Sequence, residues 1–425
     1  MPRLLIVPDR CAIPAPISPG TAPGPKPTSA SSHLVKPSKG AAGDLRIAID
    51  AHSVGTGLGG NESYATNLIE ALAEIDSVNR YTLYVTRRVA VERFTNRWPN
   101  FSVRSTLPHT PLLRIPLTLS AELRRNPVDV LHVQFTAPPF SPCPVVVSIH
   151  DLSFEHLPET FKWRSRKQLR ITVRRSAREA AQVIALSEYA RNDIIASYHV
   201  NSENVSVIPL AAPAHFQPVH DEDELRRVRQ TYGIQSDYIL SVGAIQPRKN
   251  LSRLVAAYSS LRRARPGVKL PQLVLVGKCA WLYDETLRTI KELEMGNSVV
   301  LTGYVPEPDL PALYSGALCF VYPSYFEGFG LPPLEAMKCG APVIVGNKTS
   351  LPEVVGDAGV QVDPFDVEEM ASAIQRVITD SSLRAQLRVK GLERAKLFDW
   401  QETARQTLSV YKKAAEGDSG NGLTG

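Results

Sequence analysis

The sequence predicts an α/β protein made of two Rossmann-like, doubly wound domains, and three observations predict it. At 425 residues the chain exceeds what one core of ordinary size holds. Short, near-continuous apolar runs recur along it, each followed by an amphipathic stretch; such runs mark strands covered on both faces, hence parallel sheets with crossover helices. The runs also fall into two sets, parted by the proline-bearing stretch LAAPAHFQPVHDED.

Residues 1–44 are rich in Pro, Ser, Gly and Ala and read as a disordered extension, as does the tail 417–425. The first set of strands (LRIAID, YTLYVT, DVLHVQ, PVVVSIH, QVIALS, VSVIPL) defines a domain over 45–210. The second (YILSVG, QLVLVG, SVVLTG, ALCFVYP, PVIVG, VQV) defines one over 215–395. A last helix within 396–416 carries Trp400, Ala404, Leu408 and Tyr411 at the spacing of a core stripe.

A hydrophobic content of 43% and a charged content of 21% are those of a soluble globular protein. The five cysteines are scattered without metal-ligand spacing, and Cys319 and Cys339 read as small core residues, which suits a reducing compartment. No apolar run approaches the roughly 18 residues of a membrane span, and MPRLLIVPDR is too brief for a signal peptide. The expected location is cytoplasmic. A net charge of +6 does not by itself imply nucleic acid, and no stacking platform or recognition motif accompanies the cations. Between Lys162 and Arg178, however, lie eight basic residues and no acidic one, interleaved with Trp163, Leu169, Ile171 and Val173. That pattern reads either as a solvated helix face or as a surface for anionic headgroups or an acidic acceptor at the inner face of a membrane.

The densest motif is EGFGLPPLE, bracketed by Glu327 and Glu335 after the strand LCFVYPSYF. Gly328 and Gly330 let the backbone approach a ligand closely, and Pro332 and Pro333 suit a first helical turn. A helix start there is a seat for a diphosphate, with one carboxylate in the loop and the other expected on the helix's first turn. In LSVGAIQPRKN a strand ends at Gly243, and Arg248 and Lys249 lie in the loop beyond, where ligands of open α/β sheets collect. Fixed cations there would stabilise charge growing on a leaving phosphate. Gly55, Gly57 and Gly60 match the dinucleotide fingerprint formally, but the first lies five residues past Asp50 at the strand end, and no acid closes the next strand. His150-Asp151 closes PVVVSIH, Asp151 reading as loop support; Ser350 with Glu353 makes a capping-box pattern. Asp221-Glu222-Asp223 opens a charged helix and reads as dipole-favouring, so no metal is expected.

These motifs together resemble the retaining glycosyltransferases of family 4, which have the GT-B fold, two Rossmann-like domains facing across a cleft. The string DLSFEHLPETF is similar to a subgroup of bacterial polysaccharide and lipopolysaccharide mannosyltransferases. The resemblance implies transfer of a hexosyl group, mannose favoured, from a nucleoside-diphosphate sugar (GDP-mannose favoured) to a glycan or lipid-linked acceptor. No other cofactor is expected. It also implies that the last helix packs back on the first domain. Among site residues it implies Arg248 and Lys249 on the leaving diphosphate, Glu327 with the backbone of Gly328, Phe329, Gly330 and Leu331 on the sugar, and Glu335 on the ribose. His150 meets sugar or acceptor, Gly59 and Gly60 face the donor phosphate, Gly243 joins the donor site, and the turn at Tyr304 and Val305 holds the base. A nucleotide-sugar epimerase of the same architecture and a non-catalytic sugar-nucleotide binder are the alternative classes.

Overall fold

The computed structural model describes residues 44–57, 59–265, 267–280 and 282–419. The expected disordered extension lies outside them apart from Asp44. Of the expected tail, 417–419 are helical, because the final helix runs Trp400–Ser419; Gly417 falls in its last turn, where a glycine is readily carried. Residues 420–425 lie outside the described residues.

The first sheet holds β1 (Arg46–Asp50), β2 (Arg80–Val85), β3 (Phe101–Ser105), β4 (Val130–Gln134), β5 (Val145–Ile149), β6 (Gln182–Ala185) and β7 (Val205–Val207), in the order β3-β2-β1-β4-β5-β6-β7. The second holds β8 (Tyr238–Val242), β9 (Gln272–Val276), β10 (Val299–Gly303), β11 (Cys319–Tyr322), β12 (Val343–Gly346) and β13 (Gly359–Val362), in the order β10-β9-β8-β11-β12-β13. Every pairing is parallel. The order reverses at β1/β4 in one sheet and at β8/β11 in the other, and such switch points open crevices at the strands' C-terminal ends. β3 is absent from the strands read in the sequence: it is an edge strand of which only Phe101 is buried, so FSVRS lacks a continuous apolar run.

Three apolar clusters hold the layers. One covers the outer face of the first sheet, with Leu119, Val147 and Val173, and one the outer face of the second, with Leu254, Val321 and Ile374. The third is continuous through both domains, running from Ile47 and Leu68 through Phe216 in the connecting segment to Phe320 and Leu334. The final helix joins this third cluster through Ala404, Val410, Tyr411 and Ala414. It lies on the first domain: Thr403 Oγ1 donates to the Pro209 carbonyl at 2.8 Å, and Trp400 tilts against Tyr64 with ring centroids 6.5 Å apart.

The two domains meet through close polar contacts. Ser187 Oγ donates to the Gly328 carbonyl at 2.8 Å. The Glu353 carboxylate accepts from the backbone N–H of Glu188 at 2.8 Å and of Tyr189 at 2.7 Å, so it caps a helix of the opposite domain. This corrects the capping-box expectation. Ser350 makes no side-chain cap; its hydroxyl is spent on the carbonyls of Glu327 and Phe329, and Glu353 reaches across the cleft.

Candidate active site

The loop after β11 and the short turn after β8 converge at the second sheet's switch point. Pro247–Lys249 form one 3₁₀ turn, and Asn250 takes a left-handed φ of 59°, which redirects the chain into the helix Leu251–Ala264. Asn250 holds that bend with its amide, donating to the carbonyls of Pro323 at 3.1 Å and Pro364 at 2.6 Å. Arg248 and Lys249 thereby face Glu327. Arg248 Nη1 lies 2.7 Å from Glu327 Oε2, and Lys249 Nζ lies 2.6 Å from Oε1. Ser324 Oγ donates to Oε1 at 2.6 Å, Tyr322 Oη donates to it at 3.1 Å, and Lys249 Nζ also donates to the Tyr322 hydroxyl.

Burial alone would push the Glu327 carboxyl up, but Arg248 and then Lys249 outweigh it and hold it at about 2. Lys249 is lowered to about 8 by burial and by the neighbouring guanidinium, against the pull of Glu327. The buried Lys249 and the half-buried Arg248 thus share one carboxylate, and Asp151 of the opposite domain also bears on both. Two cationic donors side by side at a strand's C-terminal end suit the oxygens of a diphosphate more than a neutral ligand.

Above this cluster the helix Leu331–Lys338 begins, with Gly330 at φ 114° as its N-cap. A Cβ on Gly330 would lie 2.6 Å from Leu351 Cδ2. Pro332 and Pro333 carry no N–H, so donors for an anion at this end come from Gly330, Leu331 and the loop before them. Glu335 is the fifth residue of the helix, not in its first turn as expected, because the helix opens only at Leu331. It therefore does not serve the helix dipole. It accepts a hydrogen bond from Tyr314 Oη at 3.0 Å, and burial raises it to about 7. Since its folded value exceeds its ordinary one near 4.5, the folded protein binds the extra proton between those values, and stability falls as pH rises through that window. Glu335→Gln removes the cost of ionisation. Its melting temperature is expected to exceed that of the parent at pH 8 and to match it near pH 5; an equal difference at both, read by calorimetry, would refute this.

The other expected site residues lie around the same crevice. Gly243, at φ 152°, packs beside Lys249 Cε and the Tyr322 ring, 3.7 and 3.8 Å from where its Cβ would stand. Tyr304 is 60% exposed, with Lys278 Nζ 4.5 Å from its ring centroid, while Val305 is buried. Across the cleft, Gly59 is the N-cap of the helix Gly60–Ile75, and neither glycine has any atom within 4 Å of an added Cβ. The preceding N–H groups of Gly55 and Gly57 are already taken by the Glu62 carboxylate at 2.7 and 2.6 Å. Lys278 comes within 3.9 Å of Gly57's missing Cβ, so this loop faces the second domain. His150 lies at the end of β5, its carbonyl against Gly328, and its ring stacked edge-on to Tyr64 with centroids 4.7 Å apart. Asp151 accepts from the Ser153 N–H at 2.9 Å, and Asp221 caps its helix by accepting from the N–H of Asp223 at 3.0 Å. Sequence reasoning missed Tyr322, Ser324, Asn250 and Lys278. The first is hidden inside an apolar strand, and the others carry no motif of their own.

A cleft between two parallel-sheet domains, with paired cations, a buried carboxylate and a helix start at one switch point, defines a GT-B glycosyltransferase. Residues 58–213 match the model described as Glycosyltransferase Family 4, and residues 225–394 that described as Glycosyl transferases group 1. The chain is 35% identical over 268 residues to the O-antigen chain mannosyltransferase B of Escherichia coli, covering 63% of this chain and 70% of that protein. It is 31% identical over 236 residues to the serotype-specific mannosyltransferase WbdA of Escherichia coli, covering 55% of this chain but only 29% of that protein. The fold is shared with a sucrose-phosphate synthase from Thermosynechococcus elongatus, at TM-score 0.70, 21% identity and coverage of 88% of this chain and 100% of the other. WaaG, a glycosyltransferase involved in lipopolysaccharide biosynthesis, superposes at TM-score 0.66 with 18% identity, over 88% of this chain and 100% of that one. The chain belongs to glycosyltransferase family 4 and is a hexosyltransferase.

Proposed function

We propose that the protein transfers a mannosyl group from GDP-mannose, with retained configuration and without a metal, to a glycan or lipid-linked acceptor in surface polysaccharide assembly. The observation that carries this reading is the sharing of Glu327 between Arg248 and Lys249 beneath the start of the helix Leu331–Lys338. A diphosphate seated there would take over the two cations, which then stabilise the charge that develops as the glycosidic bond breaks. Released from one partner, Glu327 would accept from sugar hydroxyls. Glu335, held by the buried Tyr314 hydroxyl, would meet the ribose, and the turn at Tyr304 the base. The mannosyl donor is supported by the names of the relatives; the base is read from that alone. Binding is tested by thermal shift with GDP, UDP and their hexose conjugates. A larger stabilisation by the guanosine series is expected, and preference for the uridine series overturns the donor. Activity that is lost to chelator and restored by manganese overturns the metal-free mechanism. Product released without an acceptor, still on its nucleotide, would favour an epimerase.

The acceptor side is supported by the helix Trp163–Glu179. Trp163, Lys167, Arg170, Ile171, Arg174 and Arg178 form one exposed face of it, Trp163 being 68% and Ile171 61% exposed. Aromatic and aliphatic side chains among cations suit an anionic lipid surface, each charge contributing about 1 kcal/mol near it. Among the described residues no helix is long and apolar enough to cross a membrane. Co-sedimentation with vesicles containing phosphatidylglycerol, absent with pure phosphatidylcholine and lost on changing Lys167, Arg174 and Arg178 to Gln, is the expected result. Equal binding by the variant would make these residues a solvated face.

A further inference from the structure

His150 makes contacts that define which of its ring nitrogens carries the proton. Its Nδ1 lies 2.9 Å from Asn61 Oδ1, on the second residue of the helix Gly60–Ile75. An amide oxygen accepts only, so Nδ1 carries the hydrogen and Nε2 is left with a bare lone pair. Nε2 is buried and has no hydrogen-bond partner among the described residues, so its lone pair is open to a donor.

The ring plane is fixed as well. Tyr64 lies edge-on to it, and Phe135 tilts against it at 5.1 Å. Tyr64 is itself held through its hydroxyl, 2.7 Å from Ser148 Oγ; Ser148 lies 2.7 Å from His132 Nε2, and His132 Nδ1 lies 2.6 Å from Tyr411 Oη on the final helix. Asn61 is tied at its backbone, where Ser53 Oγ donates to its carbonyl at 3.0 Å.

We infer that Asn61 is a positioning residue. It holds His150 as the Nδ1–H tautomer, so that Nε2 accepts a hydrogen bond from a hydroxyl of the transferred hexose. This rests on the reading of His150 as part of the sugar site. The charged group bearing on the imidazole is Asp151 beside it, which favours the cation; His150 in turn opposes protonation of His132 on β4. Burial dominates and keeps His150 neutral down to about 4, while His132 is itself held at about 3. The acceptor at Nε2 is therefore present throughout the neutral range.

The test is nitrogen NMR on full-length protein labelled at histidine, without ligand, with His150 assigned by its disappearance in His150→Gln. The expected signature at pH 7 is a protonated Nδ1 and a bare Nε2. In Asn61→Ala the population shifts toward Nε2–H, and in Asn61→Asp, which keeps an acceptor, Nδ1–H is retained. Kinetically, Asn61→Ala lowers kcat about tenfold with donor affinity little changed. Asn61→Asp recovers activity at pH 8 but loses it more steeply than the parent on acidification, because a carboxylate at Nδ1 raises the imidazole's pKa. Asn61 is exposed, so neither change threatens the fold. An Nε2–H tautomer in the parent, or a tautomer unmoved in Asn61→Ala, overturns the inference. Unimpaired turnover in His150→Ala would instead remove the sugar-site reading while leaving the tautomer result standing.

Discussion

Lys249→Ala should cut turnover by about 10²–10³ while changing donor affinity less than tenfold. The reason is that Lys249 and Arg248 hold opposite oxygens of the same carboxylate, so ground-state charge balance survives the loss of one of them. Glu327 keeps Arg248, Ser324 and Tyr322 as partners. What is lost is the second cation where charge grows on the leaving group. Fold stability should therefore stay nearly intact. Glu327→Ala contrasts with it, since it strips the buried Lys249 and the half-buried Arg248 of the carboxylate they share and should cost roughly 3–5 kcal/mol by denaturant titration. If Lys249→Ala weakened donor binding and turnover equally, the ammonium would be a ground-state clamp only.

Gly328→Ala should lower kcat/KM about a hundredfold with little effect on the melting temperature. A Cβ at this position would stand 1.6 Å from the His150 carbonyl oxygen and 2.9 Å from Asp151 Cβ, both on the opposite domain. The strain is relieved by backing one domain away from the other, not by unfolding either. The same displacement breaks the Ser187 bond to the Gly328 carbonyl and loosens the Glu353 cap. Small-angle scattering should record a larger radius of gyration. An unaltered radius with full activity would show that the contact at Gly328 is not needed for the reaction.

The strands that were legible in the sequence are those buried on both faces, because parallel strands under helices cannot alternate polar and apolar side chains. β3 was not legible, for it lies at an edge with one buried residue. The paired cations and the carboxylates announced themselves through glycine and proline at strand ends. Their pairing did not, since the bond from Arg248 to Glu327 joins residues 79 apart in sequence and depends on the turn at Asn250. Glu353 shows the opposite failure. Ser-x-x-Glu before an apolar stretch is a good local rule, and here a contact 165 residues away overrides it. Glu335 was misplaced by one helical turn because nothing in GLPPLE says which residue opens the helix. The histidines show the same limit: His132, without a motif, is at the centre of a buried chain of hydroxyls from β5 to the final helix.

The helix Trp400–Ser419 covers a sheet whose strands all precede residue 208. During synthesis the first half of the molecule leaves the ribosome long before its cover exists, a delay of some tens of seconds at about 5–20 residues per second. For that interval Leu68, Tyr64 and their neighbours lie open to water or to a chaperone, and the N-terminal lobe can mature only after the covering helix has been made. Separate expression of the two lobes, cut at the connecting segment, would reproduce that unfinished state permanently.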